Sequence, residues 1–318
     1  MATSVTLSNG VEMPLVGLGT WQSPDAEIDV AVRAALDVGY RHIDTAAGYQ
    51  NEAAIGKVLK EYFEAGKLKR EDVFVVTKFF SMNQFARDEV EPALKASLER
   101  LQLTYVDLYL VHFPWAFTME EGKLVPMKTA TLEENWQGME DAYAKGLTKA
   151  IGVSNYNAEQ VERICKSCNV KPHTNQVECH LYFPQEELEA AHKKHNIYLT
   201  AYGPLGSPGR TNFKEFGGLK INWSDPGNML EDATVLKVAK NHNKTAAQVL
   251  LRWLMQRQII VIPKSVNPKR IKENFQVFDF ELTKKELDEL SGIKTRQRLF
   301  LAEWAAGHPE DPFKDERA

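Results

Sequence analysis

The sequence predicts an α/β fold closed into a (β/α)₈ barrel, and three observations predict it. Short apolar, β-branched runs occur eight times: VGLG, YRHID, VFVVTK, VDLYLVH, AIGVSN, HTNQVE, IYLTAY and IIVIPK. Between them lie loops and stretches of 10–15 residues whose apolar side chains recur at helical spacing. No linker, charge block or low-complexity tract divides the 318 residues, so 1–318 reads as one barrel domain. Strands buried on both faces read as near-continuous apolar runs, and strand–helix alternation implies parallel pairing. Eight such units suit a closed barrel better than an open doubly wound sheet, the alternative.

Each element has its own local reason. VTLSNGVEMPLV predicts a hairpin around Asn9-Gly10 that plugs the bottom of the barrel. The first helix opens at Ser23-Pro24, carries Ile28, Val32, Ala35 and Leu36 on one face, and stops at Gly39. The second places Ile55, Val58, Leu59, Tyr62 and Phe63 at 3-4 spacing, and Val90, Leu94, Leu98 and Leu101 repeat the pattern. Capping boxes are read at Thr131/Glu134 (before Leu132, Trp136, Met139 and Tyr143), Thr245/Gln248 and Thr283/Glu286. Residues 113–130, residues 203–230 and the tail after Ser291 break the rhythm with Gly, Pro and aromatics, and read as large binding loops.

Composition excludes several functions. Hydrophobic content of 43% with 26% charged residues is that of a globular chain with a sizeable core. A net charge of −4 gives no bulk attraction to nucleic acid or an anionic membrane. No apolar run is long enough to span a bilayer, and the opening MATSVTLSNGVEMP has no signal-peptide pattern, which points to the cytoplasm. Three cysteines make no disulfide framework and agree with a reducing compartment. Cys165 and Cys168 form a lone CxxC on an amphipathic helix and read as buried or idle thiols. His192 and His195, in HKKH, read as solvated side chains of a Lys-rich helix, and no metal site is expected.

The carboxyl ends of barrel strands converge on one face, where catalytic groups gather. Those ends carry Asp44, Lys78, His112, Ser154-Asn155, Gln176, Tyr202 and Lys264. An unpaired ammonium is costly in a partly buried funnel, and Asp44 supplies Lys78 with a partner. An ammonium beside a phenol favours the phenolate, so Lys78 is expected to lower the pKa of Tyr49 and tune it as a proton donor. His112 is then available to bind or protonate a substrate oxygen. The alternative is a structural salt bridge with Tyr49 as a surface aromatic. Near the last strand, Asn267-Pro268 reads as an N-cap and first helical residue, and Lys264, Arg270 and that helix start form a phosphate site; a solvated basic face is the alternative. GLGTWQ, residues 17–22, has Gln22 where a dinucleotide fingerprint needs its third glycine, and no GxxxxGK[ST] occurs.

GYRHIDTAAGYQNE, VTKF, LYLVHFP, AIGVSNYN, NQVECHLY, AYGPLGSPG and IPKSVNPKRIKENFQVFDFEL together resemble the aldo-keto reductase superfamily, from about residue 5 to the tail. The likeness is to its aldose and aldehyde reductase group, and AGHPEDPF is similar to aldehyde reductases. The resemblance implies a monomeric (β/α)₈ barrel that binds NADPH without a Rossmann domain and reduces small carbonyl compounds. It implies a catalytic tetrad of Asp44, Tyr49, Lys78 and His112, with Tyr49 as general acid. Ser154, Asn155 and Gln176 match the groups that bond the nicotinamide carboxamide, and Tyr202 the ring stacked on it. Lys264, Ser265 and Arg270 match the grip on the 2′-phosphate, with Glu273 and Asn274 at the adenine. The resemblance implies that Thr20, Trp21, Asp44, Gly203, Leu205 and Ser207 border the same cofactor, as do Val266 and Asn267.

Departures from the family pattern bear on substrate. Gly203 stands where a serine is frequent, and Phe80 and Phe113 stand where aldose reductases often carry tryptophan, while Trp21 is kept. With Tyr49 and His112, these rings and Trp223, Phe300 and Trp304 are expected to line an apolar pocket closed by the tail, about residues 292–318. Replacing indole by phenyl removes a donor and enlarges the site, so aromatic or medium-chain aldehydes are expected over small sugars. The family also contains NADPH-binding structural and regulatory subunits with little turnover, the second reading.

Overall fold

The computed structural model, which describes residues 2–317 except 122, 128, 129 and 217, contains eight parallel strands paired in chain order. They are β1 (Leu18–Gly19), β2 (His42–Asp44), β3 (Phe74–Phe79), β4 (Leu108–Val111), β5 (Ile151–Ser154), β6 (Thr174–Glu178), β7 (Tyr198–Tyr202) and β8 (Ile260–Val261). One lies in each predicted apolar run. The sheet closes on itself: Val16 bridges Val261 and Gly19 bridges Lys264, with the Gly17 amide donating to the Val261 carbonyl at 2.9 Å. The barrel, not the open sheet, is what forms.

Among the described residues ten α-helices surround it: α1 (Asp25–Val38), α2 (Glu52–Glu64), α3 (Arg87–Leu101), α4 (Leu132–Ala144), α5 (Ala158–Ser167), α6 (Glu186–Lys193), α7 (Ala233–His242), α8 (Ala246–Gln256), α9 (Pro268–Phe275) and α10 (Lys284–Ser291). Their predicted apolar faces are the buried ones: Ile28, Val32, Ala35 and Leu36 on α1, and Val90, Leu94, Leu98 and Leu101 on α3. All three capping boxes form, as at Thr131, whose hydroxyl accepts from the Glu134 amide at 3.2 Å while its own amide donates to the Glu134 carboxylate. The start of α1 differs from expectation. Pro24 occupies the N-cap and its carbonyl takes the amides of Glu27 and Ile28, so Ser23 caps nothing.

At the amino-terminal ends of the strands, Ser4–Thr6 and Glu12–Pro14 form the predicted antiparallel hairpin. Met13 is fully buried, and His42 Nδ1, at the start of β2, lies 3.1 Å from the Pro14 carbonyl. The hairpin thus closes the bottom and leaves the opposite face for chemistry. Two segments read as loops contain short hairpins, Phe117–Glu120 with Lys123–Pro126 and Glu215–Phe216 with Leu219–Lys220. Sequence spacing could not show these, because each pair is anchored by contacts with its partner strand rather than by a long apolar run.

Helices α2 and α3 touch through Gly56, where an added Cβ would sit 2.5 Å from the Leu101 carbonyl and 2.6 Å from that of Arg100. Backbone cannot yield as a side-chain tip can, so Gly56→Ala should cost at least about 2 kcal/mol in urea unfolding. An unchanged midpoint would show that the helices separate freely.

Candidate active site

The strand register places Asp44 beside Val76 and Lys78 beside Leu110, so both charges emerge at the carboxyl end of the barrel. There Lys78 Nζ donates to Asp44 Oδ1 at 2.6 Å, to the Thr45 carbonyl at 2.9 Å and to the Tyr49 hydroxyl at 3.3 Å. Both members of the ion pair are out of contact with water. The free oxygen of Asp44 accepts from Gln176 Nε2 at 2.7 Å, from the far side of the barrel. The Tyr49 ring lies edge-on to the His112 imidazole with centroids 5.6 Å apart. All four sequence-predicted catalytic residues therefore meet in one place.

The electrostatics overturn one expectation. The Tyr49 phenol is held well above its ordinary pKa, by burial first and by the Asp44 carboxylate second; it is not lowered. Lys78 is itself partnered by Asp44, so its charge acts on the phenol largely cancelled. Burial also lowers Lys78 below its usual 10.5, against the raising influence of Asp44. His112 is pushed well below 6.5 by burial and by the Lys78 charge, so it is neutral. Its Nδ1 is buried without a hydrogen-bond partner among the described residues, which leaves Nε2 for the cleft.

Two residues in the same stretch of sequence escaped the sequence reading. Asn51, 1% exposed, accepts from the Thr45 hydroxyl at 2.8 Å and donates to the Thr20 carbonyl at 3.0 Å, clamping the loop that carries Tyr49 to the end of β1. Glu52, equally buried, accepts from the Thr77 hydroxyl at 2.5 Å and from Arg100 Nε at 2.7 Å beneath Lys78. The only signal for them is a polar pair opening a helix whose next turn is apolar.

The groups assigned to the cofactor divide into two clusters. Ser154 donates to the Gln176 carbonyl at 2.8 Å, Asn155 Nδ2 donates to the His112 carbonyl at 2.9 Å, and Tyr202 OH donates to Asn155 Oδ1 at 2.8 Å. They form one connected edge beside the tetrad. Gly203 has φ +60°, a conformation that a side chain strains, so serine at this position would carry a backbone cost here. Leu205 and Ser207 follow, half-buried, on the same loop. The Thr20 hydroxyl is fully buried and donates to the Asp44 carbonyl at 2.9 Å.

The second cluster lies at β8 and α9. Lys264 is exposed and reaches the Gln22 carbonyl at 3.2 Å; burial of part of its stem lowers its pKa, Glu27 raises it and the Arg270 charge lowers it further. Among the described residues neither Lys264 nor Arg270 makes an ion-pair contact, and both are exposed, with Glu27 acting on Lys264 only from a distance. The expected free amides of α9 are not free: Asn267 Oδ1 accepts from Lys269 and Arg270 at 3.0 and 3.2 Å. Ser265 and Asn274 are buried, with Val266 and Glu273 half-buried beside them. The donor set fits a phosphate held by side-chain cations rather than by a helix terminus.

Of the rings expected to line a pocket, Phe80 and Phe113 touch His112, and the others pack on Phe113, on one another and on Tyr202. Phe113 is stacked between His112 and Trp115, with centroids at 4.7 and 4.9 Å. Phe80 approaches His112 edge-on at 6.2 Å. Phe300 meets Trp21, Tyr202 and Trp223 edge-on at 5.7, 5.4 and 5.3 Å. Trp304 packs on Phe113 at 5.7 Å. Sequence reading missed Trp115, Phe213 and Phe216, which back Phe113, Trp21 and Trp304.

Other histidines need correction. His192 is buried, with Nε2 2.9 Å from Asn175 Nδ2, and burial lowers it to about 4; it is no solvated side chain. His195 lies beyond the end of α6 and pairs with Glu162 at 2.7 Å. Burial raises Cys165 to about 11, away from the thiolate that metal or redox chemistry needs.

Comparison with known proteins agrees with this geometry. The sequence profile of the Aldo/keto reductase family matches residues 15–295. Aldo-keto reductase family 1 member A1-A of Danio rerio is 41% identical over 332 residues, covering 98% of this chain and 99% of that one. Aldo-keto reductase family 1 member A1 of Homo sapiens is 40% identical, covering 99% of both. The solved structure of the aldose reductase from Schistosoma japonicum superposes with a TM-score of 0.89 at 39% identity, covering 99% of this chain and 100% of that chain.

Removing Asp44 should expose the cost of a buried ammonium. Asp44→Asn is expected to lose about 3–5 kcal/mol at neutral pH in urea unfolding. A lysine whose folded pKa is depressed binds fewer protons folded than unfolded, so stability rises with pH until 10.5 is passed. The deficit of the variant should therefore shrink toward alkaline pH; a deficit that grows there would refute the assignment.

Proposed function

The chain belongs to the aldo/keto reductase family, and from that premise we propose that it reduces aldehydes and ketones to alcohols with NADPH, Tyr49 delivering the proton. The observation that carries this reading is the Tyr49 hydroxyl 3.3 Å from a lysine whose own charge is secured by Asp44 at 2.6 Å, beside a neutral imidazole. The nicotinamide, when bound, supplies the hydride. Every remaining task falls to the chain.

A carbonyl oxygen lodged between Tyr49 and His112 accepts a hydrogen bond from the phenol and one from neutral imidazole Nε2. As negative charge develops on that oxygen, both donors are already oriented, and little water is present to compete. The raised pKa keeps the phenol protonated in essentially every molecule at physiological pH. Lys78 acts when the proton leaves, because its ammonium faces the phenolate then forming. Asp44 keeps Lys78 protonated and aimed. Ser154, Asn155, Gln176 and Tyr202 would hold the nicotinamide; Lys264, Ser265 and Arg270 would grip a 2′-phosphate, the ground for NADPH over NADH.

The aromatic wall supports aromatic or medium-chain aldehydes as substrates. We read residues 1–318 as one barrel domain whose tail closes the pocket, working as a cytoplasmic monomer. In support, no helix among the described residues is long and apolar enough to cross a membrane, and Cys165, Cys168 and Cys179 are free thiols. No observation favours a cofactor-binding protein without turnover.

Three experiments test the reading. Wild type should oxidise NADPH with 4-nitrobenzaldehyde, at a higher kcat/KM than with glucose, while Tyr49→Phe loses at least about a hundredfold in kcat and still binds NADPH. Between about pH 6 and pH 8 the wild-type rate should stay flat, since neither Tyr49 nor His112 titrates there; a step near the ordinary histidine value would show a protonated His112. Arg270→Ala should weaken NADPH about tenfold or more, the loss of one charge-assisted contact, with NADH nearly unchanged. Equal losses for both would remove Arg270 from the phosphate site.

A further inference from the structure

Among the buried carboxylates that the catalytic scheme leaves unused, Glu178 is the most deeply buried, with no exposed surface. Glu178 ends β6 and pairs in register with Tyr202, the last residue of β7. It is wholly buried, yet its partners come mostly from elsewhere in the chain. Oε1 accepts from the Leu299 amide at 2.6 Å and from His180 Nε2 at 2.8 Å; Oε2 accepts from the Phe300 amide at 2.9 Å and has Arg298 Nη1 at 3.8 Å. Burial alone would raise its pKa, but His180, Arg298 and the Leu299 amide outweigh that and hold it low, so it is an anion.

Arg298 extends the cluster. Its guanidinium lies between the rings of Phe183, at 4.3 Å, and Phe313, at 4.2 Å, and pairs with Glu316 near the end of the chain. The Gln297 amide donates to the Tyr182 carbonyl at 2.8 Å just before it. The start of the strap that runs from 297 to 316, residues 297–300, is thus tied to the barrel, and Glu316 folds the far end of the strap back onto Arg298. Between the ties, Phe300 is aimed at Trp21, Tyr202 and Trp223.

A buried carboxylate is tolerated only while its lone pairs are satisfied. If residues 299 and 300 lifted away, Glu178 would lose both backbone donors at once, so this part of the strap resists opening. Because the donors are backbone amides, the anchor does not depend on which side chains stand at 299 and 300.

We propose that Glu178 is a positioning residue for substrate recognition: through the amides of Leu299 and Phe300 it fixes the strap, and with it the Phe300 ring, as a standing wall of the substrate pocket. The substrate half of this proposal rests on the reductase reading above; the anchoring half does not.

Hydrogen exchange tests the anchor without substrate. In the wild type the amides of Leu299 and Phe300 should exchange as slowly as those of the barrel strands. In Glu178→Gln, which turns an N–H toward a donor, they should exchange at least about tenfold faster. The same variant should raise KM for 4-nitrobenzaldehyde about tenfold, leave NADPH affinity within about twofold and change kcat/KM for propanal little. In a Phe300→Ala background its effect on KM should largely vanish, since the two act through one ring. Fast exchange at 299 and 300 in the wild type would overturn the proposal even if the variant failed to fold. So would equal losses with both aldehydes together with weakened NADPH, which would place Glu178 in the barrel rather than the strap. A wild type that turns over neither aldehyde sinks the reductase reading and the substrate half, while the exchange data still decide the anchor.

Discussion

An ammonium and a carboxylate sealed together under the mouth of the barrel constrain everything above them. Neither Lys78 nor Asp44 could be kept there alone, because an unpaired charge out of water is far more costly than the pair. Their contact, at 2.6 Å, fixes the end of β2 against the end of β3, and the second oxygen of Asp44 reaches Gln176 on β6 at 2.7 Å. One carboxylate therefore ties three strands at the level where chemistry happens. Tyr49 depends on that tie twice. Its hydroxyl takes its orientation from Lys78, and its loop is pinned by Asn51 to the carbonyl of Thr20, whose hydroxyl bonds the carbonyl of Asp44.

Such a site is legible in sequence where a strand announces its own end. VFVVTK and LYLVH carry no charged residue before the last one, so Lys78 and His112 stand out as groups that must be compensated or used. Glu178 was missed for the opposite reason: HTNQVE is the least apolar of the eight runs, with polar residues on both sides of Val177, so one more acid at its end carries little contrast. Apart from His180, its partners lie about 120 residues away in the tail, a distance that no spacing rule spans. His192 was misread because neighbouring lysines say how wet a segment is, not which way one ring turns. The closed barrel was readable from strand count and alternation, whereas the hairpins in the two long loops rest on cross-strand contacts that local propensity does not encode.

The error over Tyr49 has a physical lesson. Proximity to an ammonium argues for a low phenol pKa only if that ammonium acts unopposed; here Asp44 stands behind it, and burial acts on the phenol directly. The consequence is a site almost without net charge: a neutral imidazole, a neutral phenol and an ion pair that cancels itself. A neutral site admits an uncharged carbonyl compound at little desolvation cost, yet its dipoles and the nearby ammonium are aligned for the negative charge that appears only in the transition state.

Recognition is built from different material. Asp44, Lys78 and His112 hang from strand ends held by register and buried hydrogen bonds, with Tyr49 on a pinned loop, while the rings proposed to meet substrate come from loops and from the strap. Phe113 can stand in a stack between His112 and Trp115 without any donor of its own, so exchanging one ring for another there alters the shape of the pocket and leaves the proton path intact. The strap follows the same logic if backbone amides anchor it, since its side chains can change while its path does not. Chemistry fixed in the strands and selectivity carried on tethered aromatic walls would let one barrel take on new carbonyl substrates without rebuilding the pair of charges on which it depends.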